Sequence, residues 1–276
     1  SVKAGRGTVT IDRKSGYLTG YHDGSRQMIR APFAPNFWRA ELDNDWRGWK
    51  PGLYLEDWKT AQDNLASTSA QISYQIEGNV AVVNVTRDIH SGKAILKLSY
   101  TVYPDGKVKV SYDLDIAEKT LEPLRVGLQG QLAGVQNVTY FGRGPQENYS
   151  DRNDGIFLGT WNSTVEDMMV QYIYPQENGN RTDVRWIKLT DAKGKGILVK
   201  GEQPLSVSVW NTTQQQLNDS KHIGEPQVLD DAVTVNIDLV QAGVGGTDSW
   251  TQYARPYDQY RLTAKHYNYS FWIMTK

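Results

Sequence analysis

Cysteine is absent from the 276 residues. That excludes a disulfide framework, thiolate metal sites and a thiol nucleophile, and it leaves the compartment open. Histidine is scarce. His22, His90, His222 and His266 lie far apart, and no H-x-H or H-x-x-x-H spacing pairs them, so a catalytic or sensing metal is not expected. A sodium or calcium ion held by carbonyl oxygens would leave no such trace. No apolar run is long enough to span a bilayer. The start, SVKAGRGTVTIDRKSG, lacks the apolar core of a signal peptide. Charge of one sign is lacking as well: 30 basic residues stand against 31 acidic ones, for a net charge of −1. The basic residues are scattered, so neither nucleic acid nor a membrane surface is an expected partner. There is no G-x-S-x-G nucleophile elbow, no βαβ rhythm, and no Rossmann or P-loop pattern.

What the chain does have is tryptophan and tyrosine, 9 and 16 residues against 5 phenylalanines. Both pair a flat apolar face with a polar handle. They suit sheet surfaces and cores, and they also suit sugar rings. Alternation at period two predicts strands at 8–12, 17–21, 26–30, 79–90, 124–132, 136–141, 183–190, 196–200, 205–210, 233–240, 259–264 and 267–274. The clearest element is a hairpin over 93–117 with Pro104-Asp105-Gly106 at its tip. Val108, Val110 and Tyr112 point one way, and Lys107, Lys109 and Ser111 the other. Helical spacing of Leu55, Trp58, Ala61 and Leu65 predicts a helix over 53–66. A helical turn is expected at 163–169, capped by Ser163 or Thr164. The polar segment 211–227 reads as a loop with room for a short helix. The fold class is therefore all-β, an antiparallel sandwich, and the absence of a low-complexity linker favours one domain over 1–276.

The tetrapeptide Pro-Gln-Glu-Asn occurs at 145–148 and again at 175–178. Each copy carries one carboxylate, Glu147 and Glu177. Retaining and inverting glycosidases flank the scissile bond with two such groups. The plainer reading is that each carboxylate ties down its loop by accepting backbone N–H bonds. Three further polar clusters stand out: Arg39 with Asp43, Asn44 and Asp45; Arg143 with Glu147, Asp151 and Arg152; and Glu177 with Arg181. Arg–carboxylate pairs in turns hold loops rigidly. These clusters are read as loop architecture, the lesser alternative being a cleft that faces sugar.

Four segments in order carry a resemblance: PNFWRAELDND (35–45), YFGRGPQENYSDR (140–152), YPQENGNRTDVRW (174–186) and GVGGTDSW (243–250). Together they resemble the C-terminal β-sandwich domain of the large β-galactosidases of glycoside hydrolase family two. Glu41 departs from the family, which commonly has Pro there. The resemblance implies a large antiparallel supersandwich akin to galactose mutarotase. It implies that the catalytic glutamates, and the magnesium and sodium of the enzyme, belong to a separate barrel. On that basis neither Glu147 nor Glu177 is catalytic, the isolated chain is inactive, and it carries no cofactor of its own. The implied partners are the barrel and neighbouring domains, the β-galactoside or its aglycone sugar, and a second copy in an oligomer. The resemblance also places Trp250 as an aromatic platform for the aglycone. Asp248 and Ser249 would fix the loop, and Gly243, Gly245 and Gly246 would supply backbone angles closed to other residues. The alternatives are a free-standing carbohydrate-binding module, an aldose epimerase using a glutamate with His222 or His90, and a purely structural part.

Overall fold

The computed structural model describes residues 1–275. Fifteen strands dominate it. They are β1 (Val2–Ala4), β2 (Gly7–Ile11), β3 (Leu18–His22), β4 (Ile29–Asn36), β5 (Gln71–Glu77), β6 (Val80–Ile89), β7 (Ala94–Val102) and β8 (Val108–Ile116). These are followed by β9 (Arg125–Ala133), β10 (Asn137–Gly144), β11 (Phe157–Thr164), β12 (Arg181–Thr190), β13 (Gly196–Trp210), β14 (Ala232–Gln241) and β15 (His266–Thr275). Every pairing between them is antiparallel. The path runs β1-β2-β3-β4-β9-β14-β13-β15-β8-β7-β6-β5, with β12, β10 and β11 branching from β13.

The branch arises because β13 is 15 residues long. One edge of it pairs with β12 along most of its length. Its other edge pairs with β15 over Ile197–Gly201 and with β14 over Ser206–Trp210. Between those stretches lies Pro204, which has no N–H to give a ladder. One strand thus serves two sheets, which curl around a common core.

The hairpin of β7 and β8 shows why the core forms. Leu96, Leu98, Tyr100 and Val102 face inward from β7, and Val108, Val110, Tyr112 and Leu114 from β8, all buried. Each such side chain contributes roughly 1.5–3 kcal/mol on burial. The intervening Lys107, Lys109 and Ser111 stay outside, as the alternation predicts.

Three expectations need correction. The helix over 53–66 is not continuous. It is broken into α1 (Pro51–Tyr54), α2 (Glu56–Lys59) and α3 (Ala61–Ser67), after a π-helical stretch over Asn44–Trp49. Leu55, Trp58, Ala61 and Leu65 are all buried as their spacing suggests, but the backbone breaks at Leu55 and Thr60 to keep them against a curved sheet. Residues 259–264 form no strand. A 3₁₀ turn, Asp258–Tyr260, occupies their start, and Arg261 there holds Asp258 and Glu122 instead of a ladder. The stretches 196–200 and 205–210 are one strand, not two. The remaining helices, α4 (Val165–Met168) and α5 (Gln214–Asp219), lie where expected, and the Thr164 hydroxyl caps α4 by accepting from Asp167 N.

Candidate functional site

The first motif leaves β4 and turns at once around Arg39, which is fully buried. Its Nε and Nη2 donate to the two oxygens of Asp45, each at 3.0 Å. Its Nη1 donates to the carbonyls of Ala242 at 3.1 Å and Gly243 at 3.0 Å. A planar fork satisfied on both sides is the strong form of this interaction. It bolts the first motif to the base of the 243–250 loop. Asn44 adds a bond from Nδ2 to the Val244 carbonyl at 3.2 Å. Asp43 sits further out and exchanges bonds with the Gln176 side chain.

The second and third motifs interlock through Glu147. Its Oε2 accepts from the backbone N–H of Gly179 at 2.7 Å, and its Oε1 accepts from Arg152 and from the Tyr172 hydroxyl. Arg143 instead pairs with Asp183 at 2.6 Å and donates to the carbonyls of Asn153 and Ile156.

Glu177 and Arg181 do not form the pair that the sequence suggests. Arg181 is buried and donates to the Gly179 and Asn180 carbonyls and the Tyr140 hydroxyl. Glu177 turns the other way, to Arg125 of β9, with Oε2 at 2.9 Å from Nη2. Arg125 also faces Asp238 of β14, with Nε 3.3 Å from Oδ2. All three are fully buried. One buried guanidinium therefore serves two buried carboxylates. Burial pushes Glu177 upward, against the pull of Arg125, and pushes Asp238 up to about 8. Of the two carboxyls, Asp238 stands farther from Arg125, and its shift leaves it mostly protonated near neutral pH. Nothing in the motifs pointed to Arg125 or Asp238. The available signal was a charged residue inside each of two mostly apolar strand sequences, LRVGL and NIDLV.

The fourth motif forms the most exposed part of the site. Asp151 Oδ2 accepts from Gly245 N at 2.7 Å, so the second motif also grips this loop. A Cβ at Gly243 would meet that carboxylate at 2.6 Å, and one at Gly246 would meet the Ala254 carbonyl at 2.3 Å. The backbone of Gly243, Gly245 and Gly246 does not take the left-handed angles that the sequence suggested. The glycines serve close approach instead. Asp248 accepts from the N–H groups of Trp250 and Thr251 and from the Thr251 hydroxyl, bonds that hold its carboxyl below the usual range. The Ser249 side chain makes no hydrogen bond among the described residues; Asp248 holds the tip together with the bond from Thr247 N to the Tyr253 carbonyl at 2.8 Å. Trp250 is 75% exposed and is not a core residue.

These loops surround a cleft of about 220 Å³. Asp43 and Asn44 line it from the first motif, Arg152 from the second, Gln176 and Glu177 from the third, and Ser249 from the fourth. Tyr149 and Tyr172 complete the wall. Side chains of these clusters bond one loop to another, and the loops enclose a polar hollow one residue away from an exposed indole.

A family model described as the β-galactosidase small chain matches residues 3–273. The chain is 31% identical over 258 residues to a β-galactosidase of Priestia megaterium, and 35% over 264 residues to one of Halalkalibacterium halodurans. Those matches take in 93% of this chain but only 24% and 25% of the relatives. Among solved structures, galactose 1-epimerase from Lactobacillus acidophilus superposes with a TM-score of 0.59 at 10% identity. The match covers 100% of this chain and 92% of that one, and it shows a shared galactose mutarotase-like fold. The chain belongs to the β-galactosidase small-chain family.

Proposed function

We propose that this chain is the sandwich portion of a β-galactosidase, and that its 243–250 loop completes the sugar site of a separate catalytic barrel. The observation that supports this most is Trp250: a large indole, mostly exposed, at the tip of a loop held by Arg39, Asp151 and Asp248. The bonds fix the loop backbone beneath Trp250 and leave its apolar face open to a partner. An indole stacks on a pyranose and tolerates different aglycones, because it needs no fixed hydrogen-bond match. The barrel would supply acid/base and nucleophile, together with magnesium and sodium. This chain would supply acceptor binding and a rigid wall.

The glutamates of this chain suit no catalytic role. Glu147 is tied by three accepted bonds to Arg152, Tyr172 and Gly179, and Glu177 is buried and paired with Arg125. An epimerase reading is not favoured, because no histidine lines the cleft among the described residues. His90 faces Thr60, and His266 faces Asp115.

In the assembled enzyme, Trp250→Ala is expected to raise the concentration of glucose needed as acceptor by about tenfold. The galactosyl step with a chromogenic substrate should change far less. The chain alone should not hydrolyse that substrate. Turnover by the chain alone, abolished by Glu147→Gln or Glu177→Gln, would overturn the proposal. So would an unchanged response to glucose in the tryptophan variant.

A further inference from the structure

A second cleft, of about 330 Å³, lies between β4, β9, β14 and the start of α5. It shares no lining residue with the first. Its polar lining is unusual in kind. Asn36, Gln62, Gln129, Gln131, Gln214 and Gln215 are all amides, joined by the hydroxyls of Thr213 and Thr234. No charged side chain lines it among the described residues.

Two of these amides are locked. Gln214 Oε1 accepts three N–H donors: Asn36 at 2.8 Å, Gln129 at 3.1 Å and Arg125 at 3.3 Å. An amide whose oxygen is held by three donors cannot flip, so its NH₂ group is left facing away from them. Gln129 is locked in the opposite sense. Its Nε2 donates to Gln214 and, at 2.8 Å, to Asn236 Oδ1, which leaves its carbonyl oxygen free. The anchor beneath both is Arg125, which also donates to Asn236 at 2.9 Å. Beside the pair stands Gln131, two residues along β9 on the same face, half-buried and without a hydrogen-bond partner among the described residues.

The geometry points to a binding site for a neutral, hydroxyl-rich molecule of about one sugar ring. A fixed donor beside a fixed acceptor matches a hydroxyl, which gives one hydrogen and takes one. An anionic ligand would find no cation at the wall and an ammonium no carboxylate, so desolvation would exclude both. The fit to a single ring follows from a volume at the low end for small-molecule sites. The site needs neither Trp250 nor a barrel, so its fate is independent of the function proposed above.

The test uses this chain with D-galactose and D-glucose as probes, read by the side-chain amide signals of ¹⁵N-labelled protein. Saturable shifts of Gln129, Gln131 and Gln214 are expected, with galacturonate binding at least about tenfold more weakly. Gln214→Glu keeps an oxygen toward Arg125 but replaces the outward donor with an acceptor. It should weaken binding by about tenfold or more without lowering Tm. Gln131→Ala, which breaks no internal bond, should weaken binding with Tm unchanged and so guards against a folding artefact. Absence of saturable shifts with either sugar, shifts confined to the 243–250 loop, or unchanged affinity in Gln214→Glu would each overturn the assignment.

Discussion

In the first Pro-Gln-Glu-Asn copy, Asn148 turns its Nδ2 back onto the carbonyl of Gln146 at 3.0 Å; in the second, Asn178 does the same to Gln176, also at 3.0 Å. Both asparagines are buried, although the backbones differ: the bond before Pro145 is cis and the one before Pro175 is not. The glutamates then diverge. Glu147 stays near the rim and gathers donors from residues 152, 172 and 179. Glu177 goes into the interior and shares Arg125 with Asp238. Identical local sequence repeats only the asparagine bond, and the surroundings decided what the carboxylate does. One copy joins loops by hydrogen bonds that water could partly replace. The other neutralises a buried charge for which water offers no substitute.

That contrast makes unequal predictions for the two sites. The largest effect is expected at Glu177. Its replacement by alanine leaves Asp238 as the one remaining carboxylate against buried Arg125, at the longer distance of 3.3 Å, and chemical unfolding should show a loss of about 3–5 kcal/mol. A loss no greater than that from a surface glutamate would mean that the buried pair does not carry this charge.

Next comes pH. The folded-state pKa of Asp238, about 8, lies above the unfolded value of about 3.9. The folded chain therefore holds a proton that the unfolded chain has released. Stability from this group is fully present below about pH 4 and is lost as pH rises to about 8, with a slope of at most about 1.4 kcal/mol per pH unit. Thermal unfolding across that window should show the decline, and Asp238→Asn should flatten it. A wild-type curve that rises between pH 5 and 8, with no change of slope in the variant, would place the proton elsewhere.

The smallest effect belongs to Glu147→Gln. It removes charge from three bonds but leaves an oxygen able to accept one of them, at a cost of about 1–3 kcal/mol. Hydrogen exchange should quicken at Gly179 N–H while the β7–β8 hairpin stays protected. Uniform acceleration over the whole chain would erase the distinction between the two copies.

The fold was legible where one face of a strand is wet. Alternation in β6, β7 and β8 marks the inner face residue by residue. At β5 the period-two signal is present, with Ile72, Tyr74 and Ile76 alternating with polar residues, but the strand was not read from it and the structure leaves nearly all of its residues exposed. Alternation failed at β11, which pairs with β10 alone. The site was legible as four motifs, but their convergence was not, because Arg39 reaches carbonyls about 200 residues away and leaves no trace in spacing. Arg125 escaped notice for a related reason. Its partners, Glu177 and Asp238, come from two distant segments, and its own strand reads as ordinary core.

The long strand β13 bears on how this chain assembles. Strands β5 to β8 form a meander of neighbours in sequence, with short loops to close. In the strand path among the described residues they join the other half of the molecule through β15, which pairs with β8 on one side and with the first third of β13 on the other. Both of those partners precede β15 in the order of synthesis. The meander must therefore wait with an open edge at β8 until β15 emerges, and closing that gap spans more than 150 residues of chain, as in the Ser111–Ser270 contact. Such distant pairing is slow, and an open edge in the meantime invites the wrong partner. The ten residues of β15 act as a keystone, and the period before they are set is when this chain is most exposed to aggregation.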